Sequence, residues 1–185
     1  MPALYVSYEY DADGNQIGES LPRPKAELSS APTARNFYDE SGRLTRSEGP
    51  AVNSTVDGQE LVRATFTAYE YWADGSLRIV REGLAKSPSD AAPGANGLRN
   101  DDETRLTTET NYDALGRLVE RKVFGAGVAQ AVTSIGYYLS SDNPSPPITD
   151  SSAVRYEVVT EPPIDGLPRV TWSYYDQNGR LIRTV

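Results

Sequence analysis

Twenty-six aspartates and glutamates stand against 18 lysines and arginines in these 185 residues, with no histidine and no cysteine. The chemistry open to such a chain is carboxylate chemistry. Two acids can act as general acid and nucleophile on a glycosidic bond, and closely spaced acids can hold calcium. The missing residue types remove the Ser-His-Asp triad, thiol nucleophiles, zinc fingers and iron–sulfur clusters, so no cofactor is expected. Neither carboxylate reading is specific. Among 26 acids some pair always lies close. Asp11-Ala12-Asp13-Gly14-Asn15 opens like a calcium loop, but its glycine stands fourth and its twelfth position is Pro22, where an EF-hand needs glycine sixth and glutamate twelfth. The expectation is no catalytic site, no metal site and no enzyme.

Composition sets further bounds. A formal charge of -8 argues against a nucleic-acid partner, because phosphate binding needs clustered Lys and Arg. No apolar run approaches the roughly 18 residues of a membrane helix. Met1-Pro2-Ala3-Leu4-Tyr5 shows no signal peptide. Hydrophobic residues reach only 38%, yet 12 tyrosines accompany 3 phenylalanines and 1 methionine. That balance suits strands with half-wet faces, since tyrosine joins a large ring to a polar tip.

The acids recur in register with tyrosine and glycine. "YDADGNQ" carries Tyr10, Asp11 and Gly14; "YDESGRL" carries Tyr38, Asp39, Gly42, Arg43 and Leu44; "YWADGSL" carries Tyr71, Gly75 and Leu77. "YDALGRL" carries Tyr112, Asp113, Gly116, Arg117 and Leu118, and "YDQNGRL" carries Tyr175, Asp176, Gly179, Arg180 and Leu181. The glycines at 14, 42, 75, 116 and 179 are spaced by 28, 33, 41 and 63 residues. A fixed core with variable spacers reads as one supersecondary unit repeated with insertions. The widest gap leaves room for a worn copy around Tyr137-Tyr138.

The elements that must position these residues are hairpins. Alternating segments such as "ATFTAYEY" and "VTWSYY" precede the motif, and "LRIV", "LVERKVF" and "LIRTV" follow it. In a three-residue hairpin loop, a type I turn is closed by a residue in the left-handed region, where glycine has no Cβ penalty. Aspartate at the first position bonds back to the turn amides. The arithmetic sets Asp113 across from Arg117 and Tyr112 across from Leu118, with the same pairs at Asp39/Arg43, Tyr38/Leu44, Asp176/Arg180 and Tyr175/Leu181. Where Trp72 replaces the aspartate, Ser76 replaces the arginine; in the first copy Asp11 faces Asn15 and Tyr10 faces Gln16. The fold expected is all-β, an array of antiparallel hairpins in an elongated, curved sheet.

These motifs resemble the YD repeats of the Rhs family, shared by Rhs polymorphic toxins, the cocoon subunits of insecticidal Tc toxins and the teneurins. The likeness covers five motif copies and, through their strands, about two thirds of the chain. The resemblance implies hairpins joined side by side into the wall of a hollow shell, with an enclosed cargo polypeptide such as a toxin domain. It implies further YD repeats, of the same or another chain, as partners, and a secreted or cell-surface location. Spacers here are longer than the family's, and no self-cleavage motif or toxin domain is legible. The alternative is a surface-exposed adhesion or glycan-binding module, and after it a β-rich carbohydrate-active enzyme. The open sheet edges also lead us to expect residues 1–185 to be a single repeat region within a longer protein, or edges covered by another chain.

The spacers at 21–32, 84–100 and 142–152 are rich in Pro, Gly, Ser and Ala and are expected to be irregular and exposed. "PRPK" in the first reads as linker rather than a recognised polyproline segment. Asn53-Ser54-Thr55 fits a glycosylation sequon, a pattern common by chance, and Asp101-Asp102-Glu103 reads as a solvated run of acids.

Overall fold

The computed structural model describes residues 3–26, 33–56, 59–85, 92–100, 102, 105–125, 128–142, 146 and 152–185. Within them the fold is all-β. The strands are β1 (Tyr8–Tyr10), β2 (Gln16–Ser20), β3 (Thr33–Tyr38), β4 (Leu44–Glu48), β5 (Val52–Val56), β6 (Gln59–Tyr71) and β7 (Leu77–Ala85). They continue as β8 (Leu106–Tyr112), β9 (Leu118–Gly125), β10 (Val128–Leu139), β11 (Arg155–Ile164), β12 (Leu167–Tyr175) and β13 (Leu181–Thr184). No helix among the described residues is long and apolar enough to cross a membrane.

All 13 strands form one open antiparallel sheet in the order β1-β2-β3-β4-β6-β7-β8-β9-β10-β11-β12-β13, with β5 paired to β6 off this path. Because direction alternates along that order, the five motif turns all emerge on one rim. Each joins consecutive strands: β1/β2, β3/β4, β6/β7, β8/β9 and β12/β13. The widest gap between motifs is filled by another hairpin, β10/β11, in which Tyr137 pairs with Glu157.

Register follows the turn arithmetic. Tyr10 pairs with Gln16, Tyr38 with Leu44, Tyr71 with Leu77, Tyr112 with Leu118 and Tyr175 with Leu181. Immediately behind every one of these tyrosines the register shifts. Such an irregularity adds a residue to one strand and raises its local twist. Hydrophobic alternation alone carries no sign of it.

Two small clusters supply the core. Phe66, Ala68, Ala85, Leu98 and Leu106 are buried together, with Phe124 packed against them. Ala153, Tyr156 and Tyr174 form the second, backed by Trp172. Tyr156 meets Tyr174 edge-on at 5.3 Å between ring centroids and Trp172 at 6.3 Å, favourable geometries for aromatic quadrupoles.

Leu98 comes from the spacer expected to be exposed, and that expectation needs correction. Leu84 and Ala85 belong to β7, and Leu98, only 7% exposed, lies in the first cluster. An apolar side chain in an otherwise polar loop gains by folding back onto the sheet. In the first spacer, Arg23 forms a two-way backbone bridge to Tyr5. The third begins at the end of a short 3-10 turn, Ser140–Asp142. Residues 27–32, 86–91, 143–145 and 147–151 of these spacers lie outside the described residues.

Candidate functional site

The motif residues first build their own turn. The Asp113 N–H donates to the Arg117 carbonyl and the Gly116 N–H to the Asp113 carbonyl, both at 2.9 Å. The same two bonds recur at Asp11, Asp39, Trp72 and Asp176. All five glycines have φ between +74° and +88°, the left-handed region that the turn demands. An added Cβ on Gly116 would meet nothing within 4 Å, so substitution there is opposed by backbone strain alone. Gly116→Val should cost more than about 1 kcal/mol, read from the urea midpoint, since β-branched residues tolerate positive φ poorly.

The aspartate caps the turn from the side. Asp113 Oδ1 accepts the N–H of Leu115 and of Arg117, both at 2.9 Å, and Oδ2 accepts Arg117 Nε at 2.8 Å. Asp39 does the same toward Ser41 and Arg43. In the first copy Asn15 takes over the side-chain bond to Asp11 at 2.9 Å. In the third, Trp72 cannot accept, and Asp74 bonds the Ser76 backbone N–H and hydroxyl instead.

These donors hold the carboxyls of Asp39 and Asp113 below the usual aspartate value of 3.8, led by the backbone N–H of Arg43 and of Arg117. A carboxyl lowered by folding stabilises the fold at pH above its unfolded value, and that contribution is lost as pH falls through the lowered value. Asp113→Asn should therefore reduce stability at neutral pH, and the gap to the parent should close on acidification below that range. Urea midpoints measured across pH check this; a gap independent of pH would contradict it.

The motif also reaches its neighbour. The Tyr38 hydroxyl donates to the Gln16 carbonyl at 3.1 Å, Tyr71 to that of Leu44 at 2.7 Å, and Tyr137 to that of Leu118 at 3.0 Å. Each acceptor is the second residue after a motif glycine of the preceding hairpin. The Arg43 guanidinium lies 5.0 Å over the Tyr71 ring, and that of Arg117 lies 4.3 Å over Tyr137. Tyrosine thus ties one hairpin to the previous one by a hydrogen bond and a cation–π contact. Burial raises the hydroxyl pKa of Tyr71 and Tyr137, which keeps both as donors.

A second constellation was not legible beforehand. Arg46 is wholly buried on β4, its Nε 2.7 Å from Glu48 Oε1 and its Nη1 2.7 Å from Asp102 Oδ2 and 2.8 Å from the Gly97 carbonyl. Its guanidinium stacks 4.2 Å over Phe66. Arg99 bonds Glu48 from above through Nη1, and its backbone N–H donates to Asp102 at 2.8 Å. Residues 92–100 and 102 therefore form a strap latched across the sheet. Asp102, expected among solvated acids, is 3% exposed, a correction with a plain cause: two arginines neutralise this corner of the sheet.

One signal for the strap was present. Gly94-Ala95-Asn96-Gly97 repeats the spacing of Asp-x-x-Gly, and it makes the same turn, with Gly94 N–H to Leu98 carbonyl and Gly97 N–H to Gly94 carbonyl at 2.9 Å. Without flanking alternation the spacing alone does not mark it as a copy.

Beyond the latch, strands β6 to β9 carry a row of alternating charges, with Arg81, Glu109 and Lys122 in register. Arg81 pairs ionically with Glu70 and Glu109, and Lys122 with Glu109 and Glu120. Between the first two motif turns and the strap lies an open groove of about 760 Å³, lined by Asp11, Asn15, Asn36, Tyr38, Asp39 and Arg43 among others. Its two capping aspartates are both held in the charged form. No group of three or more potential metal ligands occurs among the described residues.

Compared with known proteins, the chain matches no family model and no curated sequence.

Proposed function

We propose that this chain is a structural repeat module, a wall segment that encloses or shields a cargo polypeptide, as its resemblance to Rhs/YD repeats implies. The observation that carries the reading is how the motif side chains are spent. Asp39 and Asp113 cap turns, Arg43 and Arg117 bridge to the next hairpin, and Tyr38 and Tyr71, like Tyr137 of the intervening β10/β11 hairpin, bond the previous one. Residues so engaged build a sheet rather than turn over a substrate. Lowered carboxyl pKa values at Asp11 and Asp39 also run against the raised general acid that glycoside hydrolysis needs. A secreted or cell-surface location belongs to the same proposal.

The test is protease protection of the polypeptide encoded beside this segment, produced with it in one reading frame. Survival of that polypeptide, and its loss when the sheet is destabilised, is the expected result. Equal cleavage with and without the segment would count against enclosure. The open groove favours a second reading, an adhesion module. Saturable binding of a glycan or peptide, abolished by Asn36→Ala, would select it.

A further inference from the structure

The hairpins that are tied by tyrosine share one register, and that register reaches past the sheet. At β2/β3, Gly18 pairs with Arg35; at β4/β6, Arg46 pairs with Ala68; at β9/β10, Glu120 pairs with Ser134. In each case the fourth residue after a motif glycine faces the third residue before the incoming tyrosine. All three junctions carry the tyrosine hydroxyl bond. At β7/β8 the register differs, Ile79 facing Asn111, and the described contacts include no such bond from Tyr112. Register and lock go together.

The two outer strands hold the two halves of this lock. At the entry to β13, Arg180 and the Leu181 carbonyl stand where Arg43 and the Leu44 carbonyl stand at the entry to β4, one and two residues after a motif glycine. Nothing described lies beyond them. On β1, Tyr10 stands where Tyr71 stands on β6, and among the described residues no earlier strand receives its hydroxyl. Both edges are apolar and open: Tyr8 is 52% exposed, Tyr10 59%, Leu181 57% and Ile182 41%.

We infer that the β13 edge binds the β1 edge of a second copy of this chain, antiparallel, with Arg183 opposite Ser7. The backbone agrees with that register. Val185 exchanges both bonds with Trp172, so by alternation Arg183 faces inward while Ile182 and Thr184 point outward. Ser7 gives its carbonyl to Ser20 and Tyr5 exchanges bonds with Arg23, so Val6 and Tyr8 point outward. Arg183 and Ser7 then meet as a non-hydrogen-bonded pair, flanked by Thr184 with Val6 and Ile182 with Tyr8. Three register pairs already suffice at β2/β3 and at β4/β6. The Tyr10 hydroxyl reaches the Leu181 carbonyl, its ring lies under Arg180, and the motif rim runs on unbroken. The contact is heterologous, so it propagates rather than closing as a dimer.

This deepens the structural reading by naming a partner, and it rests on that reading; its test reads register between copies, which can fail while cargo protection stands. The chain has no cysteine, so Ser7→Cys and Arg183→Cys can be placed on separately tagged copies and oxidised gently. A non-hydrogen-bonded cross-strand pair sits close enough for a disulfide. The expected product is the 7–183 mixed disulfide, with little from the off-register pair Tyr8→Cys and Arg183→Cys. Sedimentation should show concentration-dependent growth, weakened roughly fivefold by Tyr10→Phe, which removes one hydroxyl at an exposed edge. A monomer at every concentration with no mixed disulfide would overturn the inference. So would a 183–183 product, which marks edges paired like to like, or capture of a different protein by Arg183→Cys in the presence of the second copy.

Discussion

Replacing Arg46 with alanine is expected to lower the stability of the fold by about 3–5 kcal/mol, because it leaves buried carboxylates without their partner. Glu48 and Asp102 are both nearly sealed from water, and each loses a 2.7 Å ion pair at once. The Gly97 carbonyl loses its donor as well. Arg99 remains, bonded to Glu48 through Nη1 and to Asp102 through its backbone N–H. The measurement is the urea midpoint, with Arg43→Ala as a reference. Arg43 also pairs with an aspartate, but its side chain is 38% exposed, and such a pair is worth only about 0–1 kcal/mol. Comparable losses in the two variants would show that the buried cluster is not the latch described above.

Gly97→Ala is the second large effect. Gly97 and Gly116 have nearly the same backbone, φ +72° and +75°, so an added methyl meets the same conformational strain in both. Their surroundings differ. At Gly97 a Cβ would sit 2.3 Å from the Thr45 carbonyl oxygen and 2.9 Å from the Ala68 Cβ, while at Gly116 it meets open space. The strap must lift or the strand must move, and lifting also strips Leu98 from its cluster. The expected loss is about 3 kcal/mol or more for Gly97→Ala, against about 1 kcal/mol for Gly116→Ala. Equal losses would mean that the strap does not approach the sheet as closely as the structure has it.

The two glycines also show what was legible in the amino-acid order and what was not. Gly116 sits in a local sentence: aspartate, two turn residues, glycine, arginine, with alternating strands on either side. Everything that decides its conformation lies within seven residues, so the turn, the Tyr112–Leu118 pair and the Asp113–Arg117 pair could be placed from the spacing. Gly97 obeys the same local rule, but what makes it irreplaceable is Thr45, some fifty positions away. Composition marked its segment as a loop, which it is. It did not mark the loop as covered. Asp102 was misplaced for the same reason, since its partner Arg46 lies on another strand and gives no local sign.

The tyrosine illustrates an intermediate case. Its cross-strand leucine was evident, yet its hydroxyl bond runs to a different hairpin, and motif glycines 28 to 63 positions apart conceal which hairpin is next. Nor could the register shift behind each tyrosine be foreseen, because it depends on how the glycine turn hands the chain to the returning strand.

The strap has a consequence for the order in which the molecule assembles. Along the main path, each strand pairs with a near neighbour in sequence, so the sheet can zip from any hairpin and grow in either direction, at the low cost of short loop closures. The strap breaks that locality. Its bonds from Arg46 span 51 and 56 positions and run to a segment that follows β7. It can close only after β6 has been laid beside β4 and β7 beside β6. A chain that zips in parts must therefore finish at this corner, and amide protons of 94–98 should record a later, separate event in pulse-labelled exchange during refolding.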